Sequence, residues 1–339
     1  MIKNDNIVQS IIVANGEAAI LDANGVPISY SKSFLNDNRI VVPNKYVDIS
    51  RIQGIFVNSG IIRFEENEAF LNFVIQESRN RTIMSQLGKI TEAVIVKRCS
   101  ESEEINYELF CIATGKRAHR KTARQFEAIG TGLIDTSIKH KWHYNPKDTQ
   151  RDIIFVNQND IPALMSNVTS LAGQCAGLQV KTSNEIIDYI LSDVVTVRYC
   201  VPIVCLSVMD FSLMGGGDIF AVNIYSELIR RIMRNKNYLS SLIEQNQGFF
   251  DDYLNTKDKL ESRLYDYLKI WVYDIRDIDG VAFDEIMFMK DLLEQLVYGR
   301  ISLYDLMHES ETLKSYFMSL GLWIGALSVE NNNMYVSVL

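Results

Sequence analysis

Nowhere in its 339 residues does this sequence hold about 18 consecutive apolar side chains, the length a single helix needs to cross a bilayer. The opening Met1-Ile2-Lys3-Asn4-Asp5-Asn6 also lacks the apolar core of a secretory leader. A cytoplasmic protein with no membrane partner is expected. Cysteine is sparse: Cys99, Cys111, Cys175, Cys200 and Cys205 are odd in number, have no CxxC spacing and mostly sit in apolar runs. They read as reduced core residues, and a structural zinc site is not expected. Histidine is scarcer still, at His119, His140, His143 and His308, with no HExxH pattern. The His140/His143 pair therefore reads as surface or half-buried side chains. Positive charge is in deficit, with 34 Lys and Arg against 42 Asp and Glu and a net charge of −8. That excludes a surface coated in positive potential but leaves room for a local patch. Gly215-Gly216-Gly217 lacks the Lys-Ser/Thr of a phosphate loop and reads as a hinge. No internal repeat or low-complexity segment occurs.

What is present suffices for a large folded core, at 47% hydrophobic and 10% aromatic residues. The charge is segregated. Between Gly115 and Lys147 there are eight basic and two acidic side chains, whereas residues 215–339 hold 12 basic and 19 acidic ones. Short apolar runs near Ile7–Val13, Ala18–Leu21, Arg39–Val42, Gly54–Val57, Ile61–Phe64 and Phe70–Ile75 predict strands, with Asn15-Gly16 and Asn24-Gly25 as tight turns. Residues 1–80 are thus expected to form a β-rich module.

Leu87, Ile90, Val94 and Ile95 recur at helical spacing and predict a helix over Thr82–Arg98, capped by Thr82 or Ser85. Then follow a predicted strand (Tyr107–Ala113), a helix (Arg120–Ile134), a strand (Asp152–Val156) and a helix (Asp160–Leu171) with Pro162 in its first turn. A strand (Ala176–Lys181), a helix (Asn184–Leu191) capped by Ser183 and a strand (Val201–Val208) complete an α/β core over residues 81–214. Beyond the glycines, helices are predicted throughout residues 215–339, at Ile219–Arg234, Leu239–Phe250, Lys257–Ile270, Phe283–Tyr298, Leu303–Met307 and Thr312–Leu320. The acidic, aromatic-bearing helices of this all-helical domain are expected to serve self-association or a protein partner.

Within Gln179-Val180-Lys181, strand alternation puts Gln179 and Lys181 on one face. A carboxamide oxygen there can coordinate magnesium, and an ammonium two residues on can orient the attacking water or stabilise phosphorane-like charge. Asp152, opening an apolar strand, is placed to complete a metal site.

Asp152 followed by Leu178-Gln179-Val180-Lys181-Thr182-Ser183, a helix and an apolar strand resembles the PD-(D/E)XK nuclease superfamily, in the variant where Gln replaces the second acid. The likeness covers roughly residues 82–210. It implies a restriction-endonuclease-like mixed sheet flanked by helices, and magnesium-dependent (alternatively manganese-dependent) endonucleolytic hydrolysis of DNA, with RNA left open. Restriction or anti-phage defence is the implied setting. Asp152, Gln179 and the Val180 carbonyl would hold the metal, and Lys181 would be the catalytic lysine. Such families often carry a helical Glu in a Gly-x-x-x-Glu pattern, which Gly88-Lys89-Ile90-Thr91-Glu92 matches; Glu127, in Arg124-Gln125-Phe126-Glu127-Ala128-Ile129, is the alternative. Lys116, Arg117, Arg120, Lys121 and Arg124 would neutralise backbone phosphates, with Trp142, His143 and Tyr144 able to stack or pack nearby. The competing reading is a non-catalytic nucleic-acid-binding or assembly subunit on the same fold.

Overall fold

A computed structural model describes residues 10–14, 17–21, 27–31, 46–66, 68–166, 172–208, 224–250, 257–320, 323–330 and 333–338. Strands β1 (Ser10–Ala14), β2 (Glu17–Leu21) and β3 (Pro27–Ser31) form an antiparallel ladder. Then come β4 (Tyr46–Asp48), helix α1 (Ile49–Asn58) and a hairpin of β5 (Ile62–Glu65) with β6 (Glu68–Leu71). The strand expected at Gly54–Val57 lies inside α1 instead. Ile49, Ile52, Ile55 and Phe56 are buried at helical spacing, and the Asp48 carboxylate caps the helix by accepting from Arg51 N at 3.1 Å. The expected Asn-Gly turns and the strand at Arg39–Val42 lie outside the described residues.

The middle of the chain builds the sheet that positions the site. Helix α2 (Arg79–Glu101) buries Ile83, Leu87, Ile90 and Val94 along one stripe and is capped by Ser78, upstream of the two caps expected. Helix α3 (Glu103–Thr114) occupies the segment expected to be a strand. Ser102 accepts from Ile105 N at its start, and Gly115, at φ 65°, supplies the left-handed residue that ends it. A short α4 (Arg120–Ala123) follows, then β7 (Phe126–Gly130), α5 (Ile134–Lys139), β8 (Ile153–Asn157), β9 (Gly177–Ser183), α6 (Ile186–Val195) and β10 (Ile203–Ser207). Most of the helix expected over Arg120–Ile134 is therefore strand and turn. Between Asp160 and Ser166 the expected helix is replaced by extended backbone, bridged at Val156/Pro162 and Leu164/Cys175.

Helices α7 (Ile224–Arg234), α8 (Lys236–Gln245), α9 (Gln247–Phe250) and α10 (Lys257–Trp271) follow, then β11 (Val272–Asp274), α11 (Ile275–Ile278), α12 (Gly280–Val297), α13 (Leu303–His308) and α14 (Glu311–Ser319). The chain ends on β12 (Trp323–Glu330) and β13 (Asn333–Val338). Residues 215–339 are thus mostly helical but not all-helical. β11 runs parallel to β10, while β12 and β13 join the N-terminal strands in the order β3-β2-β1-β13-β12-β4.

The described residues divide into two compact units. One is drawn from Met1–Val57, Ile62–Phe73 and Glu294–Leu339, the other from Asn58–Ile61 and Val74–Leu293. In the second unit the sheet order is β11-β10-β9-β8-β7, antiparallel from β7 to β9 and parallel from β9 to β11. Phe110 of α3 packs on Phe126 of β7 and Phe155 of β8, with ring centroids 5.1 and 5.5 Å apart. A separate apolar cluster joins α6, α7, α8 and α10 to β10 through Ile190, Leu228, Leu242, Leu268 and Ile203. Each fully buried aliphatic side chain there stabilises the fold by roughly 1.5–3 kcal/mol. No helix among the described residues is long and apolar enough to cross a membrane.

Candidate active site

The β8–β9 ladder is short: Ile153 pairs with Leu178 and Ile154 with Gly177. A Cβ on Gly177 would stand 2.7 Å from the Ile153 carbonyl oxygen, so this approach requires glycine. Asp152 lies one residue before the ladder and is fixed from every side. Its N–H donates to Leu178 O at 2.9 Å, and its carbonyl accepts from Thr131 N at 2.8 Å. Its carboxylate accepts from Val180 N at 2.7 Å and from Gln179 Nε2. Both side-chain bonds fall on Oδ2, leaving Oδ1 for a further ligand.

Gln179 donates its backbone N–H toward β10, to Pro202 O at 2.9 Å. Alternation then turns the N–H and C=O of Val180 toward the edge where Asp152 lies. Because the Asp152 carboxylate is an acceptor, the Gln179 amide must present Nε2 to it, and Oε1 is left buried without a hydrogen-bond partner. Glu92, half-buried on α2, completes the cluster. Burial, and then the Asp152 charge, push its carboxyl well above the ordinary range, against the pull of Lys89 and Lys181. Burial likewise raises Asp152 to about 6, against the lowering effects of the Val180 hydrogen bond and Lys181. α2 is tied to β9 beside this cluster by Thr182 Oγ1 donating to Thr91 Oγ1 at 3.1 Å.

Lys181 alternates away from Thr182. Its Nζ lies 4.8 Å from the Tyr199 ring centroid and 5.4 Å from that of Tyr189 on α6. Burial works against its charge, but the hydrogen bond to Tyr199 and the nearby Tyr189 and Asp152 outweigh it, so its pKa is raised. It is a fixed cation, not a neutral base. Tyr199, Tyr189 and Thr131 are the site residues that sequence reasoning missed. Tyr189 falls one helical turn into α6, close after Lys181 in the sequence, whereas Tyr199 and Thr131 carry no local signal.

The structure separates the two candidate glutamates. Glu127 is on β7 rather than on a helix, is mostly exposed, and stands 3.2 Å from His140 Nε2. Of the five basic candidates, Arg120 is paired with Glu104 and lies 4.6 Å over the Tyr107 ring, and Arg124 is paired with Glu103. Lys116, Arg117 and Lys121 remain exposed. A cavity of about 460 Å³ opens farther along, at the carboxyl ends of β9 and β10. Its guanidinium groups are already matched, Arg231 with Asp188 and Glu227, and Arg276 with Asp274. The candidate site is therefore the cluster of Asp152, Gln179 and Glu92.

Two carboxylates that burial holds toward their protonated forms, Glu92 raised further by the charge of Asp152, together with an unpartnered amide oxygen, are donors suited to a hard divalent cation. Among the described residues no cluster of three His, Cys, Asp or Glu side chains is poised for a metal, so any such ion would rely on the amide and carbonyl oxygens as well. Comparison with protein-family models, with curated proteins and with solved structures finds no match to this chain.

Proposed function

We propose that this chain is a divalent-metal-dependent nuclease of the PD-(D/E)XK kind, acting on DNA. The observation that carries the reading is the buried, unpartnered Gln179 Oε1 beside Asp152 and Glu92, since a single cation would relieve all three groups. The order of elements supports it: after helices α2, α3 and α4 come the antiparallel strands β7, β8 and β9, with α5 between the first two, then helix α6 and β10 parallel to β9, and Asp152, just before β8, lies level with Gln179 of β9. Asp152, Glu92, the Gln179 amide oxygen and the Val180 carbonyl would hold magnesium or manganese. When bound, such an ion polarises a phosphate oxygen and acidifies water.

The chain's own residues would do the rest. Asp152 is oriented by four hydrogen bonds, so its free oxygen is fixed before substrate arrives. Lys181, a cation positioned by Tyr199, would offset the negative charge that builds on the phosphate oxygens as water adds to phosphorus. The P–O bond to one sugar oxygen breaks, and that oxygen leaves with a proton. One water is consumed per cut.

The test is nicking of supercoiled plasmid with magnesium or manganese, comparing the unaltered chain with Asp152→Ala and Lys181→Ala. Metal-dependent nicking that both substitutions reduce by at least about 100-fold is expected. Equal cleavage by the variants, or none by the unaltered chain with either metal, would overturn the proposal.

A further inference from the structure

The basic segment conspicuous in the sequence is partly neutralised, but a second one is not. Residues 138–147 leave α5 and carry Trp142 at 93% exposure, Ile138 at 63% and Tyr144 at 37%. Lys139, Lys141 and Lys147 interleave with them, all exposed and none ion-paired among the described residues. An exposed indole on a short segment that also carries three unmatched ammonium groups is costly to leave in water and is complementary to a polyanion bearing flat apolar faces.

This segment is held rather than loose. His140 Nδ1 lies 2.7 Å from Asp160 Oδ1 and its Nε2 lies 3.2 Å from Glu127 Oε1, while His143 Nε2 donates to the Asp160 carbonyl at 2.8 Å. Asp160 takes a left-handed φ of 59°, which short polar side chains tolerate. The segment's far end is anchored by Asn145 N donating to Thr131 O at 2.8 Å. Thr131 N in turn donates to Asp152 O at 2.8 Å. Two backbone hydrogen bonds thus link the residue after Tyr144 to the site acid. Pre-ordering lowers the entropy lost on binding.

We infer that Trp142, with Lys139, Lys141 and Lys147, is a contact for single-stranded nucleic acid, Trp142 stacking on an unpaired base while the lysines hold flanking phosphates. Duplex DNA offers this surface its phosphates only, because its base faces are covered; an unpaired strand offers both. As a substrate contact the surface rests on the nuclease reading, but as a binding surface it can be tested alone.

The experiment uses the full chain in EDTA, where no metal-dependent turnover occurs, and follows the anisotropy of a labelled oligothymidylate and of a duplex, each roughly 20 nucleotides long. Trp142→Ala is expected to weaken oligothymidylate binding about 10-fold, Trp142→Phe to keep most of it, and duplex binding to change less than about 2-fold. Replacing the three lysines by alanine should flatten the dependence of log K on log salt by about 2. Unchanged oligothymidylate affinity in Trp142→Ala would overturn the inference, as would a Trp142-dependent change in sedimentation, which would mark a contact between copies. Trp142-dependent binding without any cleavage would sink the nuclease reading and leave this surface standing; cleavage with Trp142-independent binding would do the reverse.

Discussion

Asp152→Asn should make the metal-free protein more stable at pH 8. The carboxyl is raised from its ordinary 3.8 to about 6, chiefly by burial, and that difference corresponds to about 3 kcal/mol. The sign follows from linkage. Between pH 3.8 and 6 the folded chain holds a proton that the unfolded chain has released, so stability falls as pH rises through that window and stays lower above it. Asparagine removes the charge but accepts more weakly from Val180 N and Gln179 Nε2, which returns about 1–1.5 kcal/mol. A net gain of about 1.5–2 kcal/mol remains, or roughly 2–4 °C per kcal/mol in melting temperature for a unit of this size. Thermal melts in EDTA at pH 4 and pH 8 read it directly, because the unaltered chain is mostly protonated at pH 4 and the advantage should vanish. Magnesium should then reverse the order at pH 8, stabilising the unaltered chain and leaving Asp152→Asn unmoved. A variant less stable than the unaltered chain at pH 8, or a difference that does not change with pH, would refute the electrostatic account.

Other outcomes follow from the same contacts. Tyr199→Phe removes the hydroxyl that is hydrogen-bonded to Lys181 and so loosens the position of its ammonium; cleavage rate should fall about 10-fold with substrate affinity unchanged, and an equal loss in KM would count against a positioning role. Gly177→Ala forces a Cβ to within 2.7 Å of Ile153 O, so it should destabilise by about 1–3 kcal/mol in denaturant titrations, whereas Gly173→Ala, strained only by its positive φ, should cost no more than about 1–2 kcal/mol. Burial pushes the Cys99 thiol up to about 12 and that of Cys205 well above its ordinary value. Native protein should therefore leave both unlabelled by iodoacetamide at pH 8, as peptide mapping would show. Magnesium affinity, measured by calorimetry, should weaken at least about 10-fold from pH 7 to pH 5 as a proton competes for Asp152; a flat profile would remove Asp152 from the ligand set.

The parts of the fold legible in the sequence are those where period and length agree. Leu87, Ile90, Val94 and Ile95 mark α2 by their helical spacing, and the short run from Ala176 to Lys181 between turn-prone segments marks β9. Leu109, Phe110 and Ala113 form an apolar run equally at home in helix or strand, and the deciding signals, the Ser102 cap and the Gly115 terminator, lie outside it. Phe126–Gly130 failed for the opposite reason. Helix-favouring residues precede it, but Phe110 and the β8 ladder draw it into the sheet. With Glu127 thereby on a strand, Glu92 is left as the helical acid. The 27 positions from Asp152 to Gln179 hold no helix among their described residues; extended backbone bridged to Val156 and Cys175 returns the chain to the sheet and brings the two residues abreast. The final strands pair with each other, a local relation that the helical reading of this region passed over, while their outer partners, β1 and β4, lie roughly 300 residues earlier in the chain, beyond any local pattern.

An unpartnered buried oxygen does not by itself define a site. Gln86 Oε1 and Asn106 Oδ1 share that condition with Gln179 Oε1. Asn106 offsets it locally, since its Nδ2 donates to Phe126 O at 3.0 Å and pins α3 to β7. Around Gln179 the compensation runs the other way. Its amide donor goes to a carboxylate that is itself desolvated, and that carboxylate raises a second one on α2. Every group in the cluster thus adds to the same deficit of positive charge, and Lys181, drawn toward Tyr199 and Tyr189, only partly offsets it. A hydrophobic replacement would be the cheaper arrangement for stability alone, as it is for most buried ionic groups. All these costs fall together at the point where β8 ceases to pair with β9, which separates this cluster from an isolated packing defect and is the ground on which the proposed cation rests.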